Sequence, residues 1–200
     1  MTAPWQPLLE WWFGSAQAPS DVAADKGKLW FGKHDRQDLE AQTRFGDWVE
    51  QALAGGLTDW AQRPDGWLAL VLLLDQLPRM IYRDSPKAFC GDLRAQALVA
   101  QGIAADFDRQ LQPIQRVFIY LVFEHCENLA VQNEAVSRYI DLVNQQPEGD
   151  QALFTDYLNY AEKHQKVIAR FGRFPHRNAV LGRDSTAEEL AFLSGPGSRF

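Results

Sequence analysis

The sequence predicts an all-α protein of about eight or nine helices without a sheet, and three observations support this. The apolar run at residues 66–74 is rich in leucine and alanine, which favour helix over strand. Elsewhere, apolar residues recur at intervals of three and four, as they do on one face of an amphipathic helix. No segment alternates apolar and polar residues with a period of two, and no hairpin dipeptide lies between two strand-like runs.

Three helices are predicted in the first part of the chain, each with a glycine or proline at its end. They span residues 4–13, which stop at Gly14, residues 35–54, which Gly55 closes, and residues 65–78, which Pro78 ends or kinks. The third is apolar on every face and is interpreted as a buried central helix. Residues 14–33 contain a proline and several small residues, and we interpret them as a loop that carries an aromatic plug.

Five helices are predicted downstream. Ser85 followed by Pro86 is an N-cap with proline at the first helical position, which predicts a helix from there to about Ala104. Pro113 opens a second helix that is apolar nearly all round and ends in Glu124. The remaining helices are expected over residues 128–145, 150–171 and 186–193, the last because of a capping-box pattern. Leu39 and Leu93 are expected on the buried faces of their helices.

Composition limits the class of protein. A chain of 200 residues with 46% hydrophobic content is of ordinary single-domain size, so we expect one all-helical domain over residues 1–200. The formal charge of −6 argues against nucleic-acid binding, which needs a broad basic surface. The longest apolar run is too short for a membrane span, and no signal peptide is recognised. The two cysteines, Cys90 and Cys126, have no metal-type spacing and are expected to be buried thiols in a reducing cytoplasm.

The segment from Arg170 to Arg183 contains four arginines and a histidine among phenylalanines, glycines and a proline. This mixture predicts a shaped loop that carries cations. Acidic groups follow both apolar helices, at Asp75 and at Glu124 to Glu127, where a buried charge without a partner would be costly. Because guanidinium groups bind carboxylates through paired hydrogen bonds, the loop is expected to fold back onto the ends of the two central helices. The candidate cationic partners are Arg79, Arg170, Arg173 and Arg177.

Three segments carry a family resemblance: Leu72 to Arg79, Glu124 to Glu127, and Arg170 to Asn178. With them, the chain resembles the bacterial family known as domain of unknown function 924, over nearly all of its length from Leu8 to the capping box at Ser185. The resemblance implies an all-helical, right-handed superhelical fold of the tetratricopeptide-like type, and it implies no particular activity. No repeat of about 34 residues is visible in the sequence itself.

Several functional hypotheses fit these features. One hypothesis is that the polar groups form only an internal network that fixes the loop. Another is that they line a pocket for a small anionic molecule or an acidic peptide. An alternative is a hydrolase whose general acid or base is His125 or His176, with Glu124 as a further catalytic candidate. A third is a protein-interaction scaffold. The candidate ligand-binding residues are Asp75, Gln76, Arg79, Glu124, His125, Glu127, Arg173, Phe174, His176, Arg177 and Asn178.

No metal or cofactor is predicted. No pair of potential ligands has the helical spacing of a His-Glu-x-x-His site, and the nearby arginines would repel a cation. Neither a phosphate-binding loop nor a dinucleotide-binding glycine pattern is present. The sequence leaves oligomeric state, ligand identity and the occurrence of catalysis open.

Overall fold

A computed structural model describes residues 3–198, and within them the chain forms ten α-helices and no strand. The all-α prediction is therefore confirmed. Asp75 alone separates the fourth helix from the fifth, so that the two together form one broken helix. The helices are α1 (Gln6–Phe13), α2 (Pro19–Phe31), α3 (Asp35–Leu53), α4 (Pro64–Leu74), α5 (Gln76–Ile81), α6 (Asp92–Ala104), α7 (Pro113–Glu124), α8 (Leu129–Asn144), α9 (Glu148–Phe171) and α10 (Ala187–Leu193).

The helices α4 and α7 form the centre of the core, as their composition predicts. Every α4 residue from Gly66 to Leu74 is buried, and so is every α7 residue from Val117 to Glu124. Aromatic side chains from the N-terminal helices surround Phe118 of α7, with Trp30 at a ring-centroid distance of 4.8 Å in an edge-to-face arrangement. Among the described residues, no helix is long and apolar enough to cross a membrane.

The break between α4 and α5 occurs at Asp75, three residues before the proline that the sequence singles out. Pro78 has no N–H to donate to the carbonyl of Leu74, and its ring would clash with that carbonyl in a continuous helix. The helix is therefore interrupted one turn before the proline, and Pro78 itself lies in the first turn of α5. This break brings a carboxylate to the end of a fully apolar helix.

Two local predictions are wrong. Residues 19–31, expected to be a loop, form α2, because Val22, Leu29 and Trp30 give this polar segment one buried face. The residues after Ser85 form only a 3-10 turn, Pro86–Phe89, and α6 begins later, at Asp92. That shift changes the helical phase, so the buried face of α6 contains Ala95, Val99 and Gly102.

Two leucines and one cysteine also differ from expectation. Leu93 lies in the first turn of α6 and is 82% exposed, and Leu39 in α3 is 67% exposed. Cys126 is buried as expected, whereas Cys90 is exposed. Isolated exposed apolar residues are common in folded proteins and cost little.

The tetratricopeptide-like arrangement of the helices stays a prediction.

A glycine sets the distance between α4 and α6. A Cβ atom added to Gly91 would lie 2.1 Å from the carbonyl oxygen of Leu74, the same carbonyl that Pro78 leaves without its helical donor. Only glycine permits this approach of two backbones. The contact places Asp92, the first residue of α6, beside the break at Asp75.

We predict that Gly91→Ala lowers the free energy of unfolding by about 1–3 kcal/mol, because the added methyl group forces α6 away from Leu74. The matched control is Gly149→Ala in the first turn of α9, where a Cβ meets no atom within 4 Å. That variant should keep or gain stability, by up to about 1 kcal/mol, through its higher helix propensity. Urea denaturation of both variants measures the difference, and equal stabilities would contradict the close approach.

Candidate functional site

Four parts of the chain meet at the ends of the two central helices. Asp75 and Arg79 come from the α4–α5 break, Asp92 from the start of α6, and His125 from the residue that follows α7. The fourth part is the C-terminal segment, from which Arg177 donates a hydrogen bond of 3.0 Å to the carbonyl of His125. The fold-back of the arginine-containing segment is thus present in the structure. We refer to these five residues as the polar cluster.

Asp75 and His125 form a buried pair. Nδ1 of His125 lies 2.9 Å and 3.0 Å from the two carboxylate oxygens of Asp75, whose side chain is 1% exposed. Burial alone would raise the pKa of Asp75, but the charge of Arg79 and the contact with His125 hold it well below its ordinary value. An ionised carboxylate can only accept, so Nδ1 of His125 carries the proton and donates it.

The imidazole of His125 is kept neutral by its surroundings. Burial is the largest cause, and together with the charges of Arg79 and Arg177 it lowers the pKa of His125 to about 4, although Asp75 acts in the opposite direction. With the proton on Nδ1, Nε2 is left as a bare acceptor. The His125 side chain is 14% exposed.

Arg79 links the two carboxylates of the cluster. Its guanidinium donates to both oxygens of Asp92, at 2.9 Å and 3.0 Å, and lies 3.1 Å from a carboxylate oxygen of Asp75. It also donates to the carbonyl of Asp75 at 2.7 Å. The two-point contact with Asp92 fixes the plane of the guanidinium, which lies 5.4 Å from the ring of Phe89.

Arg177 is the least satisfied charge in the cluster. Its guanidinium contacts the rings of Phe89 and Phe174, at 5.0 Å and 4.4 Å from their centroids, and its side chain is 7% exposed. The nearest carboxylate oxygen, on Asp92, is 3.8 Å away and is already bound by Arg79. The Nε atom has no hydrogen-bond partner within the described part of the chain. Burial, with the charge of Arg79, lowers the pKa of Arg177 to about 10.

A separate set of contacts fixes the C-terminal segment. Glu127 accepts hydrogen bonds from the N–H of Phe174 at 2.8 Å and from Arg183 at 2.6 Å and 2.9 Å. Burial would raise the pKa of Glu127, but these hydrogen bonds hold it below its ordinary value. Arg183 also donates to the Asn178 side chain at 3.0 Å, which in turn donates to Ser185. Asn178 and Glu127 therefore position the segment that carries Arg177.

Arg173 belongs to another part of this segment. It binds both carboxylate oxygens of Glu189 in α10, at 2.7 Å and 2.9 Å. Arg170 pairs with Glu188 on the surface, where both side chains are more than half exposed. Arg170 thus ties α9 to α10, and Arg173 ties the residues after α9 to α10. Arg79, Arg177 and Arg183 are the candidate cations that contact the groups at the ends of α4 and α7.

Glu124 has a histidine as its partner, although the sequence suggested an arginine. One carboxylate oxygen lies 2.8 Å from Nδ1 of His164 in α9, and both side chains are at most 7% exposed. Gln132 donates to the carbonyls of Glu124 and Cys126, at 2.6 Å and 2.8 Å, which satisfies two acceptors at the end of α7. Glu124 therefore holds α7 against α9 and lies outside the polar cluster.

Phe174, His176 and Gln76 complete the set of candidates. The Phe174 ring is fully buried and contacts the rings of His164 and His176, at centroid distances of 5.5 Å and 5.6 Å. Burial and the charge of Arg177 lower the pKa of His176 to about 3. Gln76 donates to Asp75 at 2.6 Å and orients that carboxylate.

Sequence reasoning omitted four residues that shape the site: Phe89, Asp92, His164 and Arg183. Arg183 lies in the arginine-rich segment and could have been included on composition. Asp92 follows Gly91 at the start of α6, a position that favours an acid for helix-terminal reasons alone. Phe89 and His164 resemble ordinary core residues, and only the tertiary structure brings them to the site. Within residues 3–198, no group of three or more histidine, cysteine or acidic side chains is arranged to hold a metal ion.

Comparison with known proteins places this architecture in a family. Residues 8–197 match the model of the bacterial proteins of unknown function named DUF924. The chain belongs to this family. The chain is also similar to the solved structure of the protein of unknown function ATU0120 from Agrobacterium tumefaciens, with 33% sequence identity and a TM-score of 0.74. The match covers 89% of this chain and 100% of that one. A search of curated proteins gave no significant match.

We predict that Glu124→Ala lowers the free energy of unfolding by about 3–5 kcal/mol, because it removes the buried contact between Glu124 and His164 that joins α7 to α9. The control is Glu134→Ala in α8. It removes an ion pair with Arg138 in which the Glu134 side chain is 47% exposed. That change should cost less than about 1 kcal/mol. Chemical denaturation at neutral pH compares the two, and similar small losses would contradict the role assigned to Glu124.

We also predict a pH dependence that originates at His125. Because the pKa of His125 is about 4 in the folded state and 6.5 without burial, the unfolded chain binds more protons between these values. Stability should therefore be complete above about pH 6.5 and decrease as the pH falls towards 4, by on the order of 3 kcal/mol from this group. In His125→Gln this decrease should be smaller, as measured by urea unfolding across the range. An identical decrease in both proteins would contradict the buried neutral imidazole.

Proposed function

We propose that this DUF924 protein binds a small anion, a carboxylate or a phosphate, at the polar cluster, with Arg177 as the principal ligand. The observation that carries the proposal is the incomplete satisfaction of a buried guanidinium. The Nε of Arg177 has no hydrogen-bond partner among the described residues, and the side chain is 7% exposed. Buried donors of this kind are uncommon in proteins, and each one calls for an explanation.

The arrangement of the donors supports an oxyanion as the ligand. Nη1 of Arg177 already donates to the carbonyl of His125, which leaves the edge formed by Nε and Nη2. That edge presents two parallel N–H groups, whose spacing matches the two oxygens of a carboxylate or phosphate. The aromatic rings of Phe89 and Phe174 contact the guanidinium and restrict its movement. An anion would therefore meet donors that are already oriented.

Electrostatics support the same ligand class. The carboxylate of Asp92 is bound at both oxygens by Arg79, and that of Asp75 by Arg79, His125 and Gln76. Among the described residues, neither acid accepts a direct hydrogen bond from Arg177, whose nearest carboxylate oxygen is 3.8 Å away. Because the site is largely removed from water, the field of a guanidinium there is less screened than at the surface. A depressed pKa of about 10 for Arg177 is in keeping with an under-compensated charge.

The depth of the site favours a small molecule over an acidic peptide. Arg79, Arg177 and His125 expose only 18%, 7% and 14% of their side chains, and Nε of Arg177 is itself buried, so the cluster presents little donor surface to a ligand. A peptide would need a longer exposed row of donors, such as the edge of a sheet or a groove between helices. Tight binding of an acidic peptide without binding of small anions would contradict this choice.

We predict that phosphate and glutarate stabilise the wild-type protein against heat. Arg177→Lys should lower the affinity for each anion at least tenfold. Lysine keeps the positive charge but lacks the two-point edge, so the loss measures bidentate binding. At a concentration 100-fold above the dissociation constant, the ligand should add about 2.7 kcal/mol to stability. Differential scanning fluorimetry and isothermal titration calorimetry measure the two quantities.

The control variant is Arg170→Lys, because Arg170 is an exposed arginine of the same segment that pairs only with Glu188 among the described residues. It should respond to both anions as the wild type does. Sodium chloride at the same ionic strength controls for general salt effects. Equal responses of wild type and Arg177→Lys would overturn the proposal.

A further inference from the structure

We infer that Asp75 and His125 act as a general-base pair that hydrolyses a carboxylic ester bearing the anion bound at Arg177. This inference rests on the proposed anion site and goes beyond binding to an activity. His125 is the catalytic residue, and Asp75 is a positioning residue that acts through it. The substrate class is a short ester with a free carboxylate or phosphate group.

The geometry of the pair is the first argument. A carboxylate that is 1% exposed receives the Nδ1–H of His125 at both oxygens, which fixes the tautomer and the rotation of the ring. In this arrangement Nε2 is the basic nitrogen, and it lies on the opposite side of the ring from the buried carboxylate. It has no hydrogen-bond partner among residues 3–198. Because Nδ1 is turned inwards, the exposed 14% of the side chain lies on the remaining edges and faces.

The second argument is the position of the cations. Arg177 donates to the backbone carbonyl of His125, and its charge acts on the His125 imidazole. The same charges hold the imidazole neutral, and a neutral imidazole is the form that can accept a proton. A bound anion would offset the charge of Arg177 and make His125 more basic. The guanidiniums also stabilise negative charge that develops on a substrate oxygen in a site of low polarity.

The charged and titratable groups that face His125 come from every element around it. Asp75 and Arg79 come from the α4–α5 break, Asp92 from the start of α6, His164 from α9, and His176 and Arg177 from the C-terminal segment. The ring of His164 lies 6.4 Å from that of His125. Of these groups, only Asp75 contacts the ring through a hydrogen bond. The groups are Asp75, Arg79, Asp92, His164, His176 and Arg177.

The reaction needs water and no other reactant. A water molecule gives one proton to Nε2 of His125 while its oxygen forms a bond to the carbonyl carbon, and the carbonyl electron pair moves onto the oxygen. When the tetrahedral intermediate collapses, the bond to the alcohol oxygen breaks, and that oxygen takes the proton back from Nε2. The products are a carboxylic acid and an alcohol, and the imidazole is neutral again. No covalent enzyme intermediate is formed.

The test compares two para-nitrophenyl esters of equal chain length, the half-ester of glutaric acid and the uncharged pentanoate ester. Wild type should hydrolyse the half-ester with the higher kcat/KM, and Arg177→Lys should remove that preference mainly through KM. His125→Gln should reduce kcat by roughly 100-fold. Asp75→Asn should reduce kcat with little change in KM, because it disturbs the tautomer and leaves the anion site. His34→Gln alters an exposed histidine distant in sequence from the cluster and should be as active as wild type.

A second measurement uses the unaltered protein. Diethylpyrocarbonate acylates neutral histidine, and loss of esterase activity should follow modification of His125 as located by mass spectrometry. Glutarate should slow both the modification of His125 and the loss of esterase activity. Equal hydrolysis by wild type and His125→Gln, or activity that survives modification of His125, would overturn the inference. If glutarate stabilises the wild type but neither ester is hydrolysed, the anion site stands and the catalytic role fails; if glutarate does not bind, the proposed function fails as well.

Discussion

The structure depends on the burial of the Asp75 carboxylate at the point where the central helix breaks. A charge removed from water must be compensated by hydrogen bonds and opposite charge, and Asp75 receives both from Gln76, Arg79 and His125. These partners come from two helices, α5 and the end of α7. The requirement to compensate one acid therefore joins the two apolar helices at their ends, where hydrophobic contact alone would fix no particular arrangement.

Around this acid, the compensating groups form a sequence of dependent contacts. Arg79 forms ion pairs with both Asp75 and Asp92. The close approach of Gly91 to Leu74 brings Asp92 into position. With Asp92 engaged, Arg177 enters the cluster with a donor to spare. Glu127 and Arg183 hold the segment that carries it. The network thus binds each of these acids and leaves Nε of Arg177 without a hydrogen-bond partner among the described residues, and the proposed anion site rests on this asymmetry.

Much of the helix content and the general location of the site could be predicted from the sequence. The two apolar helices, the acids that follow them, and the return of the arginine-containing segment are local features of composition. The errors are equally local in origin. The segment that forms α2 is mostly polar, so its sequence shows too weak a periodicity to predict a helix. The 3-10 turn after Ser85 shifted the phase of α6, which left Leu93 exposed. Weak periodicity and short turns are where sequence patterns carry least information.

The sequence by itself determined that Asp75 and Glu124 would be buried charges in need of partners, because a run of apolar residues that ends in an acid fixes that need wherever the helix packs. Only the tertiary structure decided the partners. His125 is paired with Asp75 across fifty residues, Glu124 with His164 and not with an arginine, and Arg177 with a backbone carbonyl. Periodicity describes one helix at a time, whereas these pairings depend on how helices cross and on which side chains arrive within 3 Å of each other.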